Sequence, residues 1–349
     1  MVTFATPLPQ STRSEILTWP LPRPFQNLVL TGRSRAAWHT SFVIPQLNLL
    51  LDAGLCVNSL RPKHVFLTHG HSDHTLLAPA FGKREDPPDV FCPVEMVDVF
   101  NAFCEARTML NLGGGLTVEA EDDDDDDDEN DEQKGEREDG DRDDETKNGK
   151  EEKKTKTTTL PKKRRGGILH THNTTGLVHG SVVPLRRTRD VTALAFACDH
   201  TVPCLGYVFR QTTNKLRPEF ASLSGQELRR LREVEGRQLT APVTTNIFAF
   251  LGDTTAATLA ADPEWLREGI PVVVTECSFL YEEHRAQAEK TKHTIWADLE
   301  KVVRRWPGTV FVLTHFSMRY TERDVRRFFR GLRDPPRNVV VWADGEEDG

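Results

Sequence analysis

The segment from His64 to His74 contains the residues best suited to chemistry in this chain. An apolar run leads directly into three histidines and an aspartate, in the pattern HxHxDH. Imidazole nitrogens and carboxylate oxygens are ligands of Zn²⁺ and similar cations. The spacing allows His69 and His71 to reach one ion while Asp73 and His74 point toward a second. A histidine-rich surface loop is the alternative, and the density of ligand-type residues directly after a buried strand disfavours it.

Three later segments repeat this arrangement. Apolar runs end just before His200, Asp253 and His315. Each residue alone would be interpreted as a structural histidine or a turn aspartate. Because strands that end at one edge of a sheet bring their ends together, we expect these residues to join the first segment in one site. Five histidines and two aspartates suffice for two closely spaced metal ions with positions open for water.

Short apolar runs predict the strands that position these residues. They are rich in Val, Phe and Leu and are mostly bounded by Gly, Pro, Asp or His, which is typical of buried strands. The runs are Ser41–Ile44, Leu47–Leu51, His64–Thr68, Val191–Ala197, Leu205–Arg210, Asn246–Leu251, Pro271–Thr275, Val310–Thr314 and Val339–Trp342. Helices are fewer. A capping box at residues 224–227 predicts one helix, Thr294 is a candidate cap for a second, and residues 321–333 are amphipathic.

Charge is distributed unevenly along the 349 residues. The formal net charge is −8, but residues 119–165 alone contain 21 acidic and 12 basic residues, including seven consecutive aspartates. This stretch has too few aliphatic side chains to offset its ordering entropy, so we expect a disordered insert. The remaining residues carry 32 acidic and 33 basic side chains. The net charge therefore does not exclude an RNA partner.

Other features of the sequence predict the cellular compartment. Six scattered cysteines without a CxxC pair indicate reduced thiols and exclude a fold built on disulfides. No stretch approaches the ~18 consecutive apolar residues of a membrane span. The first 25 residues lack an apolar signal region and are interrupted by prolines. We therefore predict an intracellular protein of the cytosol, the nucleus or both, without membrane association.

Several motifs together resemble one family. Residues 315–320, His-Phe-Ser-Met-Arg-Tyr, resemble the HFSxRY motif of ribonuclease Z, the tRNA 3′-processing endonucleases of the metallo-β-lactamase superfamily. Residues 252–254 are similar to the GDT element of that family, residues 275–279 to its HEATF loop, and residues 292–294 to the histidine loop that follows. Residues 221–225, together with the His-Phe-Ser-x-Arg-Tyr-Thr run, resemble the corresponding segments of the short-form plant enzymes in particular. HxHxDH alone indicates only the superfamily.

The resemblance implies an α/β fold, the four-layer αββα sandwich of metallo-β-lactamases with a disordered acidic insert. The domain would comprise residues 27–118 and 166–343, with residues 1–26 as an N-terminal extension and residues 119–165 as the insert. The resemblance also implies two Zn²⁺ per chain, with Mn²⁺ able to serve in the same ligand set, and a homodimer. One zinc would be held by His69, His71 and His200, the other by Asp73, His74 and His315, with Asp253 bridging them.

The resemblance further implies catalytic roles for three residues. Asp73 would accept a proton from the attacking water, and His293, oriented by Glu276, would donate a proton to the leaving group. The chain departs from the family at Thr275, where the HEATF loop has histidine. It also has room for only a reduced form of the tRNA-binding arm, between Arg210 and Thr240.

Contacts with RNA are predicted from helical spacing. Within residues 321–333, the apolar positions share one face, and the arginines are assigned to another, where they would track phosphates. The candidate RNA-binding residues are Arg319, Arg323, Arg326 and Arg330. A solvated basic face without a ligand is the alternative.

The sequence is compatible with three functions. The first is a metal-dependent endoribonuclease that removes the 3′ trailer of precursor tRNA, which the HFSxRY motif and the Glu276/His293 pair favour. The second is a zinc hydrolase of small phosphodiesters or other esters on the same fold. The third is a non-enzymatic metal-binding scaffold, which the complete ligand set disfavours.

Overall fold

The computed structural model describes residues 3–7, 16–83, 85–111, 165–166, 170–188 and 190–344. The strands are β1 (Thr3–Pro7), β2 (Leu17–Pro20), β3 (Val29–Arg35), β4 (His39–Ile44), β5 (Leu49–Leu51), β6 (His64–Phe66), β7 (Asp89–Pro93), β8 (Arg165–Gly166), β9 (Asn173–Leu177), β10 (Val182–Pro184), β11 (Val191–Ala197), β12 (Leu205–Leu216), β13 (Thr240–Phe250), β14 (Val272–Glu276), β15 (Val310–Thr314) and β16 (Val339–Asp344). The α-helices are α1 (Ser72–Thr75), α2 (Val97–Asn111), α3 (Gly225–Glu233), α4 (Ala257–Ala260), α5 (Glu264–Arg267), α6 (Arg285–Thr291), α7 (Trp296–Arg305) and α8 (Glu322–Arg330).

These strands form two sheets that are joined through β1. The first sheet has the order β10-β11-β12-β13-β14-β15-β16, and the second has the order β2-β3-β4-β5-β6-β7-β9-β8. β1 pairs in parallel with β16 and antiparallel with β2, so it belongs to both sheets. β13 to β16 run parallel to one another, and so do β5, β6, β7 and β9. Within each parallel set, the carboxyl ends of the strands therefore share one edge.

The two sheets pack face to face, and helices cover both outer faces. Phe42 and Phe66 of the second sheet share an apolar core with Phe209 of the first. On the outer face of the first sheet, α7 and α8 bury side chains such as Phe329. On the outer face of the second sheet, α2 buries Phe100. The predicted four-layer αββα sandwich is therefore confirmed. Each sheet buries one apolar face against the other sheet and the opposite face against helices.

The N-terminal segment contributes strands to both sheets. Residues 1–26 were predicted to form an extension outside the domain, yet β2 pairs with β3 and β1 pairs with β16. Leu17 is fully buried in the core between the sheets. This part of the boundary prediction is corrected, because a segment whose backbone hydrogen bonds lie within the sheets belongs to the fold. The boundaries at residues 118, 166 and 343 stay predictions.

Most of the predicted elements are present. Each of the nine apolar runs overlaps a strand, and the predicted helices correspond to α3, α7 and α8. Ser224 and Thr321 each form a capping box with the residue three positions later. The N-cap of α7 is Ile295 instead of the predicted Thr294. The Thr294 hydroxyl donates to the carbonyl of Thr254.

Two paired strands extend well beyond the sandwich. β12 and β13 pair from Tyr207/Phe250 to Leu216/Thr240, and α3 lies between their distal ends. No residue from 211 to 245 is buried. We call residues 211–245 the arm. It matches the short length that the sequence allows for such a projection.

Two predictions concern residues at the limits of the description. The acidic insert predicted at residues 119–165 lies outside the described residues, except for Arg165 at the start of β8. Within the described ranges, no helix combines the length and the apolar character needed to cross a membrane.

Candidate metal centre

Strand ends deliver the predicted ligands to one edge of the sandwich. β6 leads into the loop that contains His69 and His71, and β15 ends directly before His315. β13 ends three residues before Asp253. β11 is antiparallel to β12, which is antiparallel to β13, so β11 also ends at this edge, before His200. The shared direction of these strands explains why residues distant in sequence meet.

The first ligand cluster contains three histidines and one aspartate. The ligand atoms of His69, His71, His200 and Asp253 all lie within 4.8 Å of one another. Nδ1 of His71 is 3.0 Å from Nε2 of His69 and 3.4 Å from Nε2 of His200. Three imidazole nitrogens converging with a carboxylate form a donor set that fits a zinc-like cation.

The second ligand cluster contains Asp73, His74, His315 and again Asp253. Nε2 of His74 is 3.4 Å from Nε2 of His315. Oδ2 of Asp73 is 3.4 Å from Nε2 of His315 and 3.5 Å from Nε2 of His74. Two imidazoles with two carboxylates also fit a divalent cation of borderline character.

Asp253 connects the two clusters. Its Oδ2 lies 3.7 Å from Nε2 of His69 and 3.4 Å from Nε2 of His315, while its Oδ1 lies 3.4 Å from Nε2 of His74. One carboxylate therefore faces ligand atoms of both clusters. Asp253 is buried, whereas His71 and Asp73 are partly exposed. The centre is therefore open to solvent on the side of His71 and Asp73.

Two buried carboxylates orient the ligand histidines from behind. Nδ1–H of His74 donates to Asp52 at 2.7 Å. Asp52 also accepts from the Thr68 hydroxyl at 2.9 Å, and that hydroxyl accepts from Nδ1–H of His69 at 3.0 Å. Asp52 thus orients one histidine of each cluster. Such partners fix the histidine tautomer and leave Nε2 free for a metal.

Glu276 serves the other side of the centre in the same way. It accepts from the Ser278 hydroxyl at 2.6 Å, and that hydroxyl accepts from Nδ1–H of His315 at 3.0 Å. It also accepts from Nδ1–H of His293 at 2.8 Å and from the backbone N–H of Thr254 at 2.6 Å. Glu276 is 2% exposed. The carboxylate therefore holds His293 and His315 together beside the second cluster.

Charge within the centre shifts the pKa values of its acidic and basic groups. Burial alone would raise the pKa of Asp73 and of Asp253, but the surrounding histidines outweigh burial and lower both values. Burial also disfavours the charged form of His293, but the carboxylates of Glu276 and Asp253 raise its pKa to about 9. At neutral pH the two aspartates are therefore ionised, as cation ligands must be, and His293 carries its proton.

Comparison with known proteins gives this centre a family context. Residues 55–184 match the sequence profile described as the metallo-beta-lactamase superfamily. The match includes the whole HxHxDH segment. This chain has the metallo-β-lactamase fold and resembles the tRNase Z enzymes. The superfamily match and the ligand clusters make it a metal-dependent hydrolase.

The resemblance to tRNase Z extends over most of the chain. tRNase Z TRZ1 of Arabidopsis thaliana is 22% identical over 321 residues, which cover 90% of this chain and 94% of that protein. The chloroplastic tRNase Z TRZ2 of the same plant is 23% identical over 312 residues, or 86% of this chain and 71% of that protein. Among solved structures, human tRNase Z, short form, is 14% identical, with a TM-score of 0.42, and the alignment covers 99% of this chain and 95% of that one.

The predicted RNA-binding residues separate into exposed and buried groups. Arg319, Arg323 and Arg330 are exposed. Arg326 is 6% exposed, and its Nη1 donates to the carbonyl of Asp344 at 3.1 Å. The prediction that Arg326 contacts RNA is therefore wrong. Its guanidinium is directed toward the end of β16 and is bonded there to the protein backbone.

The centre also contains three residues that were not predicted from the sequence: Asp52, Thr68 and Ser278. Asp52 follows β5 and has a positive φ of 52°. Because it directly follows an apolar run, Asp52 fits the pattern from which His200, Asp253 and His315 were predicted. Ser278 lies within the loop that resembles HEATF. Nothing in the sequence links Thr68 to Asp52, because that contact depends on the pairing of β5 with β6.

We expect Asp52→Asn to weaken metal binding by about 10- to 100-fold. The carboxylate accepts from Nδ1–H of His74 and from the Thr68 hydroxyl through Oδ2, and from the Thr68 backbone N–H through Oδ1. An amide has only one accepting oxygen, so its NH₂ group would face one of these donors and the orientation of the histidines would be lost. Competition with a chelator measures the affinity. Asp89→Asn is the matched control, because Asp89 is also buried but starts β7 at the opposite edge of the sheet. Equal metal affinity in both variants would contradict this role of Asp52.

Proposed function

We propose that this protein is a metal-dependent endoribonuclease that removes the 3′ trailer from precursor tRNA. The observation that carries the proposal is the Glu276–His293 pair at 2.8 Å, located directly beside the second ligand cluster. A bare metal site serves many hydrolytic reactions, whereas a carboxylate-held histidine next to it adds a proton donor for an alkoxide leaving group. The resemblance to tRNase Z enzymes supports the RNA substrate.

The proposed ligand set is the one that the resemblance implies. His69, His71 and His200 would hold one Zn²⁺ and Asp73, His74 and His315 the other, with Asp253 shared. The two converging clusters and the two faces of Asp253 support this assignment. Two divalent cations bound there would acidify water and offset negative charge on the phosphoryl oxygens.

The residues of the chain would then divide the proton transfers between them. Asp73, partly exposed and ionised, accepts the proton of the water that attacks phosphorus. His293, protonated at neutral pH, donates its proton to the departing ribose 3′ oxygen. Glu276 holds His293 in position through Nδ1, which leaves Nε2–H as the donating group. The products are an RNA with a 3′ hydroxyl and a trailer with a 5′ phosphate.

The arm supports a substrate larger than a small ester. It projects from the sandwich with no buried residue and carries six basic and four acidic side chains. Arg230 and Arg232 are exposed on α3, which lies at the end of the arm farthest from the sandwich. A basic projection outside the sandwich would contact the phosphates of a folded RNA at a distance from the metal centre. A homodimer, which the resemblance also implies, stays a prediction.

We expect the double variant Arg230→Glu/Arg232→Glu to bind precursor tRNA about tenfold or more weakly at low salt. Each lost phosphate contact also lowers the salt dependence, so the slope of log affinity against log salt concentration becomes shallower by about two. Filter binding across a salt series measures both effects. Arg61→Glu is the control, since Arg61 precedes the opposite end of β6. If this control weakens binding as much as the double variant, the arm is not the contact.

Activity on two substrates distinguishes the proposed function from the alternative. The purified protein with added Zn²⁺ or Mn²⁺ is incubated with a 3′-extended tRNA precursor and, separately, with a small chromogenic phosphodiester. We expect efficient cleavage of the precursor and slow turnover of the diester. The reverse order of catalytic efficiencies would support the small-substrate hydrolase instead.

A further inference from the structure

Trp38 is an exposed aromatic residue beside the second ligand cluster. It lies in the turn at residues 36–38 between β3 and β4, and the residue is 55% exposed. The preceding residue, Ala37, donates its backbone N–H to Oδ2 of Asp73 at 3.0 Å. We propose that Trp38 stacks against an unpaired nucleobase that flanks the scissile phosphate. This inference rests on the proposed function and names a binding element for its substrate.

The turn that carries Trp38 is fixed on both sides. Ala37 has a positive φ of 58°, which is unfavourable for a residue other than glycine, and its hydrogen bond to Asp73 stabilises that conformation. On the other side, the N–H of Ala36 donates to the carbonyl of Phe316 at 3.2 Å. The Arg35 guanidinium donates to the carbonyl of Ser317 at 3.1 Å. The position of Trp38 is therefore tied both to a metal-ligand aspartate and to the loop after His315.

The Trp38 ring is supported from below and open to solvent. Its one ring contact among the described residues is with His39, at 4.4 Å between centroids and 53° between planes. His39 is buried, and burial together with the charges of Arg33 and Arg35 lowers its pKa to about 4. A neutral imidazole thus supports the indole, whose remaining surface is available. An exposed ring on a fixed backbone suits base stacking, because no backbone segment has to be ordered on binding and only the two side-chain torsions of the tryptophan are restricted.

The neighbouring loop indicates a nucleotide as the partner. Arg319 is exposed on the loop that the Trp38 turn contacts, and its guanidinium lies 5.2 Å from the centre of the Phe279 ring. A cation and an aromatic surface on two adjoining loops are the groups that bind the phosphate and the base of a nucleic acid. A purely apolar ligand would offer no negatively charged group to the Arg319 guanidinium. Stacking tolerates every base, so this contact would hold trailers of different sequence.

The test combines protein variants with altered substrates. Trp38→Ala, Trp38→Phe and Trp38→Leu are compared with the wild-type protein on a 3′-extended tRNA precursor and on precursors with an abasic nucleotide on either side of the cut. Phe keeps an aromatic ring, whereas Leu keeps apolar bulk without one. We expect Trp38→Ala and Trp38→Leu to raise KM for the intact precursor by about tenfold or more, and Trp38→Phe to stay within a few-fold of wild type.

The abasic substrates identify the contact itself. In one of the two abasic precursors, the wild-type protein should lose about as much affinity as Trp38→Ala loses on the intact RNA, and Trp38→Ala should lose nothing further. If Trp38→Ala has the same penalty on all three substrates, or if Leu substitutes as well as Phe, the stacking proposal is overturned while RNA cleavage stands. If the wild-type protein cleaves no precursor, the proposed function fails, and the inference with it.

Discussion

Replacing Asp73 with asparagine is expected to lower the rate of precursor cleavage by about a thousandfold or more. Asp73 combines two tasks in the proposed centre. Its Oδ2 lies 3.4 Å from Nε2 of His315, within the second cluster, and the same carboxylate is placed to accept the proton of the attacking water. Losing one charged ligand together with the proton acceptor removes several kcal/mol of transition-state stabilisation, and each 1.36 kcal/mol corresponds to a factor of about ten in rate.

Single-turnover cleavage and metal analysis together measure this effect. The asparagine should preserve the fold, because its side chain has the same shape and Asp73 is partly exposed. Asp262→Asn is the matched control. Asp262 pairs with Arg305 at 2.7 Å, and its positive φ of 50° is one that asparagine adopts readily. A cleavage rate for Asp73→Asn within a few-fold of this control would contradict the assigned role of Asp73.

The second large effect is expected for His293→Gln. Loss of a general acid typically lowers the rate by about 10²- to 10⁴-fold, and we expect a fall of that size in kcat. His293 belongs to neither of the two ligand clusters that share Asp253, so both metals should be retained. KM for the precursor should change little, because the variant removes a proton donor and no RNA contact.

The separation of kcat from metal content makes this prediction specific. Metal analysis of the purified variant gives the occupancy, and steady-state kinetics gives kcat and KM. His170→Gln is the control, since His170 is exposed and has no place in the centre. Loss of metal in step with loss of activity would make His293 a ligand instead of a proton donor. Unchanged kcat with full metal content would remove it from the reaction altogether.

The strand ends show how much of the centre was predictable. The apolar runs before His69, His200 and His315 are buried strands, and the ligand-type residue after each run lies in the centre. Hydrophobic patterning identifies such strands because both faces of a central strand are covered in this sandwich. The direction of β11 could not be read from the sequence. It follows from two antiparallel pairings with β12 and β13.

The strand ends and the exposure of Arg326 were predicted incorrectly, because at these positions hydrophobicity does not indicate burial. β12 continues to Leu216 and β13 starts at Thr240, but their distal halves are exposed and polar, so the apolar runs stop at Arg210 and Asn246. Arg326 is the opposite case, a charged residue that is buried. It lies three residues before Phe329 and therefore shares its helical face, a spacing that could have revealed the error.

The orienting residues were hidden for a different reason. Asp52 contacts His74 across 22 positions, and Ser278 contacts His315 across 37. Neither contact can be predicted from the sequence separation of its two residues, because such contacts depend on how the strands pair and not on local periodicity. Four of the predicted ligands lie within six positions of one another, namely His69, His71, Asp73 and His74. Asp52 follows an apolar run, but the histidine that it contacts is not near it in the sequence, and the same holds for Ser278.

Mapping the cut in a 3′-extended tRNA precursor tests the proposed endoribonuclease activity. The RNA is incubated with the metal-loaded protein under single-turnover conditions, and both product ends are sequenced and their phosphates assigned. We predict one cut just after the discriminator nucleotide, the first unpaired nucleotide that follows the acceptor stem, with a 3′ hydroxyl on the tRNA and a 5′ phosphate on the trailer. Absence of cleavage by protein with both metals bound, or cleavage scattered along the RNA, would contradict the proposed activity.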